Sequence, residues 1–298
     1  MRPAIIESRA VDANDLADAE ELAAAHLRRV ARDVVLPSFG GPAGEHHWVS
    51  HTSVHTAADA RAGAALHEAF RASFPEHGLL IEDRPRVPAA GPWEWLVDPI
   101  DGSANHLRGI PYISLTAGLC RDGEPVVGVV HDPLRDRTWS AHLGGGAWLR
   151  DGEGERRPLR VAATPRLRDA MLIAHLARRG PLVSIPGALQ QLLWHVRKIR
   201  CMGSIALDLA LLAGGEADLL IVGRGSPQRM LDIAGGLVVL REAGGAVMTA
   251  GGQPVTSATR TLLAGPPALC SALVELMAEH DLEGWTQDRA VPPGTAAR

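Results

Sequence analysis

The sequence predicts an α/β protein in which an α+β half is followed by an α/β half. Three observations carry this. Strand-like runs crowd together without intervening helices between residues 113 and 149. From about residue 161 onward, strand and helix patterns alternate. A length of 298 residues, with 46% hydrophobic and 21% charged, suits one large or two fused globular cores. The halves are expected over 1–160 and 161–285, with 286–298, which has two prolines and no apolar run, as a disordered tail.

After a loose lead-in, Asp12 or Asn14 can cap a helix to about Val35, with Leu16, Leu22, Ala23, Leu27, Val30 and Val34 on one face. Pro37 and Gly40-Gly41 end it. His46, His47, His51 and His55 follow closely. Their spacing raises the idea of zinc, but β-branched residues and serines oppose a helix there, so a mobile polar loop is expected. Thr56 opens a second helix, with Asp59 in its first turn and Leu66, Ala69, Phe70 and Phe74 along its stripe. Leu79-Leu80-Ile81 reads as a short buried strand ending on Glu82-Asp83. The Trp95-Leu96-Val97 run is expected to end at Asp98, where Pro99 stops it.

Three strands are expected next, over 113–119, 125–131 and 137–141. Gly144-Gly145-Gly146 is read as a tight turn, because no helix opens after it as a nucleotide loop requires. A strand at 147–149 and a surface hairpin over 150–157 complete the first half. The second half reads as strand 171–174, helix 187–197, strand 199–201, helix 205–212, strand 218–222, helix 230–243, strands 246–248 and 261–264, and helix 267–279.

Composition excludes several classes. A net charge of −4 argues against general nucleic-acid binding. No run of 18 uncharged apolar residues exists, so no membrane span is expected. The N-terminus turns acidic at once and lacks an apolar signal core. Three cysteines, far apart and without a CxxC pair, suggest reduced thiols and a cytoplasmic protein.

The chemistry concentrates in the stretch from Trp95 to Pro111. Asp98 and Asp101 leave one strand end, Gly102 permits a turn, and Ser103 can cap a short helix. A helix start favours anions, yet two carboxylates beside it repel a phosphate unless cations lie between them. Hard divalent metals held by oxygen fit that arrangement.

The string Trp95-Leu96-Val97-Asp98-Pro99-Ile100-Asp101-Gly102-Ser103-Ala104-Asn105-His106, with Gly109-Ile110-Pro111 behind it, resembles the metal-binding signature W-x-(I/V/L)-D-P-(I/L)-D-G-T-x-N-(F/Y) of the inositol monophosphatase family. Leu231-Asp232-Ile233-Ala234-Gly235-Gly236, continuing to Glu242-Ala243-Gly244-Gly245, is similar to its second signature. Thr56 to Asp59, Ile81-Glu82-Asp83, and Gly203-Ser204 with Asp208-Leu209 add three further matches in the same order, within residues 12–265. The resemblance implies a layered αβαβα sandwich and a homodimer. It also implies two or three Mg²⁺ per site: one on Glu82, Asp98 and the Ile100 carbonyl, one on Asp98, Asp101 and Asp232, and a weaker third sharing Glu82. By the same resemblance, Glu82 helps position the attacking water. Asp59 and Ser103 form the proton-accepting pair, and the Gly102 and Ser103 N–H groups bind phosphate oxygens.

The implied activity is Mg²⁺-dependent hydrolysis of a small polyol or sugar phosphate. Departures fall on the substrate side. Leu231 stands where a tryptophan is frequent, Ser103 replaces the threonine, and His106 the aromatic. Val222 stands where an acid often contacts substrate, and Ile205, beside Ser204, replaces a smaller residue. Arg224 and Arg229 lie on a longer loop and suit a more anionic substrate. The alternatives are therefore a bisphosphorylated nucleotide, fructose bisphosphate or histidinol phosphate, or, in another class, a catalytically weak binding or assembly subunit.

Overall fold

The computed structural model describes residues 13–41, 46–48, 54–175, 192, 194–222, 230–249, 251–255 and 262–279. Most of the helix expected over 187–197, the loop 223–229 and the tail 286–298 lie outside them.

Helix α1 (Ala13–Val30) runs on through a π turn (Ala31–Val35) and a 3-10 turn (Leu36–Ser38). Leu16, Ala23, Leu27 and Val30 are buried as expected, but Leu22 is exposed. At 100° per residue Leu22 falls well off the stripe its neighbours define. The histidine-rich stretch holds a short ribbon: β1 (His46–Trp48) pairs antiparallel with β2 (Val54–Thr56), His47 opposite His55. The expected shapeless loop is thus corrected for these six residues, where β-branched and aromatic residues favour extended backbone.

Helix α2 (Ala57–Ser73) starts with a capping box. Thr56 Oγ1 accepts from the Ala58 and Asp59 amides, while the Thr56 amide and hydroxyl donate to Asp59 Oδ2. A seven-stranded sheet follows in sequence order: β3 (Gly78–Ile81), β4 (Trp93–Asp101), β5 (Ser114–Arg121), β6 (Glu124–Asp132), β7 (Arg137–His142), β8 (Ala147–Asp151) and β9 (Arg157–Pro158). Only β3 and β4 are parallel. A short helix, α3 (Ser103–Arg108), follows β4 directly.

Strand β4 continues three residues past its expected stop at Asp98. Pairing with β3 ends at Val97, so Pro99 forfeits no hydrogen bond on that side, and the register with β5 shifts between Asp98 and Asp101.

The second sheet has the order β11-β10-β12-β14-β13. Its strands are β10 (Met171–His175), β11 (Lys198–Arg200), β12 (Leu219–Val222), β13 (Ala246–Met248) and β14 (Leu262–Gly265). Strands β11, β10 and β12 are parallel, and the last two antiparallel. Helices α4 (Ile205–Ala213), α5 (Met230–Glu242) and α6 (Pro267–Glu279) lie in the same half.

Three apolar clusters fix the layers. Leu27, Leu66 and Phe70 of α1 and α2 pack on Trp95, Leu115 and Val127 of the large sheet. On its other face, Leu209 and Ile233 of α4 and α5 share a core with Val130 and Trp139, and with Ile173 and Leu220 of the second sheet. Leu269 and Leu273 of α6 cover that sheet's far face. The result is the αβαβα sandwich.

Helix α5 lies unusually close to the large sheet. A Cβ at Gly235 would stand 2.3 Å from Thr116 Oγ1 and 2.8 Å from the Ala117 and Val129 carbonyl oxygens. A Cβ at Gly118 would meet the Ala234 Cβ at 2.5 Å. Only glycines permit this approach, and it carries the helix start bearing Asp232 toward the end of β4.

Candidate active site

The site is assembled where β3 and β4 end. The Glu82 amide donates to the Val97 carbonyl at 3.1 Å, which sets Glu82 beside Asp98. Asp98 is buried, and its Oδ1 accepts the Ile100 amide at 3.0 Å in an Asx-type turn. Asp101 is also buried; its Oδ2 accepts the Ser204 hydroxyl and the Ala206 amide, each at 2.7 Å. Ser114 Oγ, 2.9 Å from Ser204 Oγ, extends this network. Gly102 follows in the left-handed region at φ 99°, with the Tyr112 carbonyl only 3.1 Å from where a Cβ would stand. The chain can turn there into α3 only because no side chain is present.

Burial and mutual repulsion dominate the electrostatics. Burial, then the charges of Glu82, Asp101, Asp232 and Asp59, hold the Asp98 carboxyl well above the usual carboxylate range. Asp101 is pushed up to about 7, chiefly by burial and further by Asp232, against the opposing bonds from Ser204 and Ala206. Asp232, more than a hundred residues downstream, is therefore close enough to act on both. Ser103 Oγ lies 2.7 Å from Asp59 Oδ1 and 3.0 Å from the Ile100 carbonyl oxygen. Asp59 thus caps α2 with one oxygen and receives Ser103 on the other.

The structure brings Glu82, Asp98, Ile100, Asp101, Asp232, Asp59 and Ser103 into one neighbourhood, with Gly102 among them. Of the substrate-side residues, Ser204 is committed to Asp101, while Ile205 and Val222 are buried. Arg224 and Arg229 lie outside the described residues.

The donor set fits a hard cation. Its members are carboxylates and a carbonyl; burial and neighbouring charge make Asp98 and Asp101 resist ionisation, and Asp98 Oδ2 and Asp101 Oδ1 have no hydrogen-bond donor among the described residues. Among those residues, one ligand atom from each of His55, Glu82 and Asp83 also gathers within 4.8 Å of the others. His55 Nδ1 is paired with Asp83 Oδ2, and Asp83 itself takes φ 60°. Sequence reasoning did not reach this pairing, because it depends on the ribbon placing His55 over the β3 end. It also missed Tyr112 and His175, which meet Asp208, a residue of the matched helix string, across the chain. Tyr112 donates to Asp208 Oδ1 at 2.5 Å, and His175 Nε2 bonds Asp208 Oδ2.

The fold and the site define a metal-dependent phosphatase of the αβαβα type. A sequence model of the inositol monophosphatase family matches residues 17–282, and the chain belongs to that family, whose members are phosphoric monoester hydrolases. An inositol-1-monophosphatase of Rhizobium meliloti is 36% identical over 229 residues, covering 74% of this chain and 81% of the relative. A fructose-1,6-bisphosphatase/inositol-1-monophosphatase of Thermotoga maritima is 30% identical, covering 70% and 76%. Among solved structures, the extragenic suppressor protein suhB of Bartonella henselae superposes with a TM-score of 0.79 at 25% identity, over 86% of this chain and 97% of that one.

Proposed function

We propose that this protein hydrolyses the phosphate ester of a small polyol or sugar, with Mg²⁺ as its metal at two or three ions per site. The observation that carries the reading is the buried, mutually repelling pair Asp98 and Asp101, facing the charges of Glu82 and Asp232. Glu82, Asp98, Asp101, Asp232 and the Ile100 carbonyl would hold the ions, which when bound neutralise phosphate charge and acidify water.

The chain's own residues do the rest. Ser204 and the Ala206 amide fix Asp101, so its free oxygen keeps one direction. Asp59 is immobilised by the Thr56 amide and hydroxyl, which leaves Oδ1 for Ser103. The Ser103–Asp59 pair would take the proton of the attacking water, and Glu82 would orient that water; the hydrogen bond between Ser103 and Asp59 supports this reading. The N–H groups of Gly102, which caps α3, and of Ser103, its first residue, would donate to phosphate oxygens.

A cytoplasmic homodimer is part of this proposal, and sedimentation of the full chain at twice its 31.6 kDa mass is the outcome expected. The decisive experiment is Asp98→Asn with Mg²⁺ and a panel of phosphate esters. Folded variant protein is expected to lose metal-dependent phosphate release, and turnover at the parental rate would overturn the scheme.

A further inference from the structure

The end of the second sheet carries a polar side chain that catalysis does not use. His175 closes β10, Val222 closes β12, and the two are register partners in parallel strands. Open parallel sheets bind ligands beyond the carboxyl ends of their strands. Val222 is apolar and 1% exposed, whereas the His175 side chain keeps 19% of its surface exposed.

Behind the ring stands Asp208 of α4, fully buried. One of its oxygens accepts the Tyr112 hydroxyl and the other bonds His175 Nε2. That bond orients the imidazole and leaves Nδ1 without a hydrogen-bond partner among the described residues. Burial alone would lower the imidazole pKa, but the bond to Asp208 and its charge, with that of Asp101, outweigh burial and raise it. His175 and Asp101 are close enough for each to shift the other.

We propose that His175, positioned by Asp208 and Tyr112, is a specificity-determining residue that binds a second anionic group of the phosphate ester through Nδ1–H. The inference rests on the phosphatase reading and narrows its substrate class. The site then takes a polyol or sugar phosphate that also bears a carboxylate or another phosphate. A neutral ring would act in the opposite sense: Nδ1 would accept from a hydroxyl, and an uncharged polyol would be preferred.

A matched pair of probes separates these outcomes. 3-Phosphoglycerate and glycerol 1-phosphate differ by a carboxylate in place of a hydroxymethyl group. With Mg²⁺, the full chain is expected to have the higher kcat/KM for 3-phosphoglycerate. His175→Gln keeps a polar side chain beside Asp208 without the charge, and should lower the kcat/KM ratio of the two esters about tenfold, mainly through KM. Asp208→Asn should lower the ratio in the same direction. A parent preference for glycerol 1-phosphate overturns the inference, as does a ratio that stays within about twofold of the parent's in both variants. If the parent turns over neither ester, the hydrolase reading fails instead. The ratio of the two dissociation constants, measured by calorimetry on parent and variants, then decides the role of His175 by the same criteria.

Discussion

Asp101 illustrates how burial can hold a single carboxyl away from its usual charge. Burial pushes its folded-state pKa to about 7, against a usual value of 3.8. A carboxyl that ionises less readily in the folded chain favours folding while protonated. Its contribution is full below about pH 4 and is lost as pH rises through about 7. Asp98 is shifted in the same direction. In the presence of a chelator, Tm should therefore fall between pH 5 and pH 8, and added Mg²⁺ should recover more of it at pH 8. A recovery independent of pH would contradict this account. Ser103 offers a second test at this scale. Ser103→Ala removes the hydroxyl placed between Asp59 and the Ile100 carbonyl, and kcat should drop on the order of a hundredfold while the melting temperature hardly moves. The acids were legible in the sequence because they sit at strand and helix ends inside recognisable strings. The Tyr112–Asp208–His175 network was not: Asp208 stands in a recognisable string, but nothing local marks Tyr112 or His175 or tells that the three meet once the sheets are stacked.

Among the elements, α5 shows what a motif conceals. The Gly235-Gly236 pair was visible as part of a signature, but its purpose is steric and needs the sheet to be seen. Gly235→Ala should cost about 1–3 kcal/mol or more, because its Cβ would meet the Thr116 hydroxyl oxygen and two backbone carbonyls that cannot yield. Chemical denaturation checks the loss. Metal affinity should weaken with it, since Asp232 rides on the first turn of the same helix. Strand β4 and the β1–β2 ribbon are the converse cases, in which local rules misjudged an element. Pro99 reads as a strand stop only if both neighbours continue, and β3 does not.

For the molecule as a whole, the succession of strands and helices was readable because periodicity is local. The architecture was not. The order β11-β10-β12-β14-β13 joins segments far apart in sequence, and no pattern within any one strand specifies its partner. The central layer of α4 and α5, which binds both sheets into one core, likewise emerges only from packing.

The placement of Asp232 on α5, far downstream of Glu82, Asp98 and Asp101, bears on how the protein is made. A ribosome synthesises the large sheet and most of the acidic cluster well before it reaches this helix. During that interval the emerging polypeptide lacks one of its four acids, and the helix that supplies it cannot dock until its glycines are extruded. Hydrolytic competence is therefore expected to arrive abruptly and late in translation, so that unfinished chains are chemically silent toward the cell's phosphate esters.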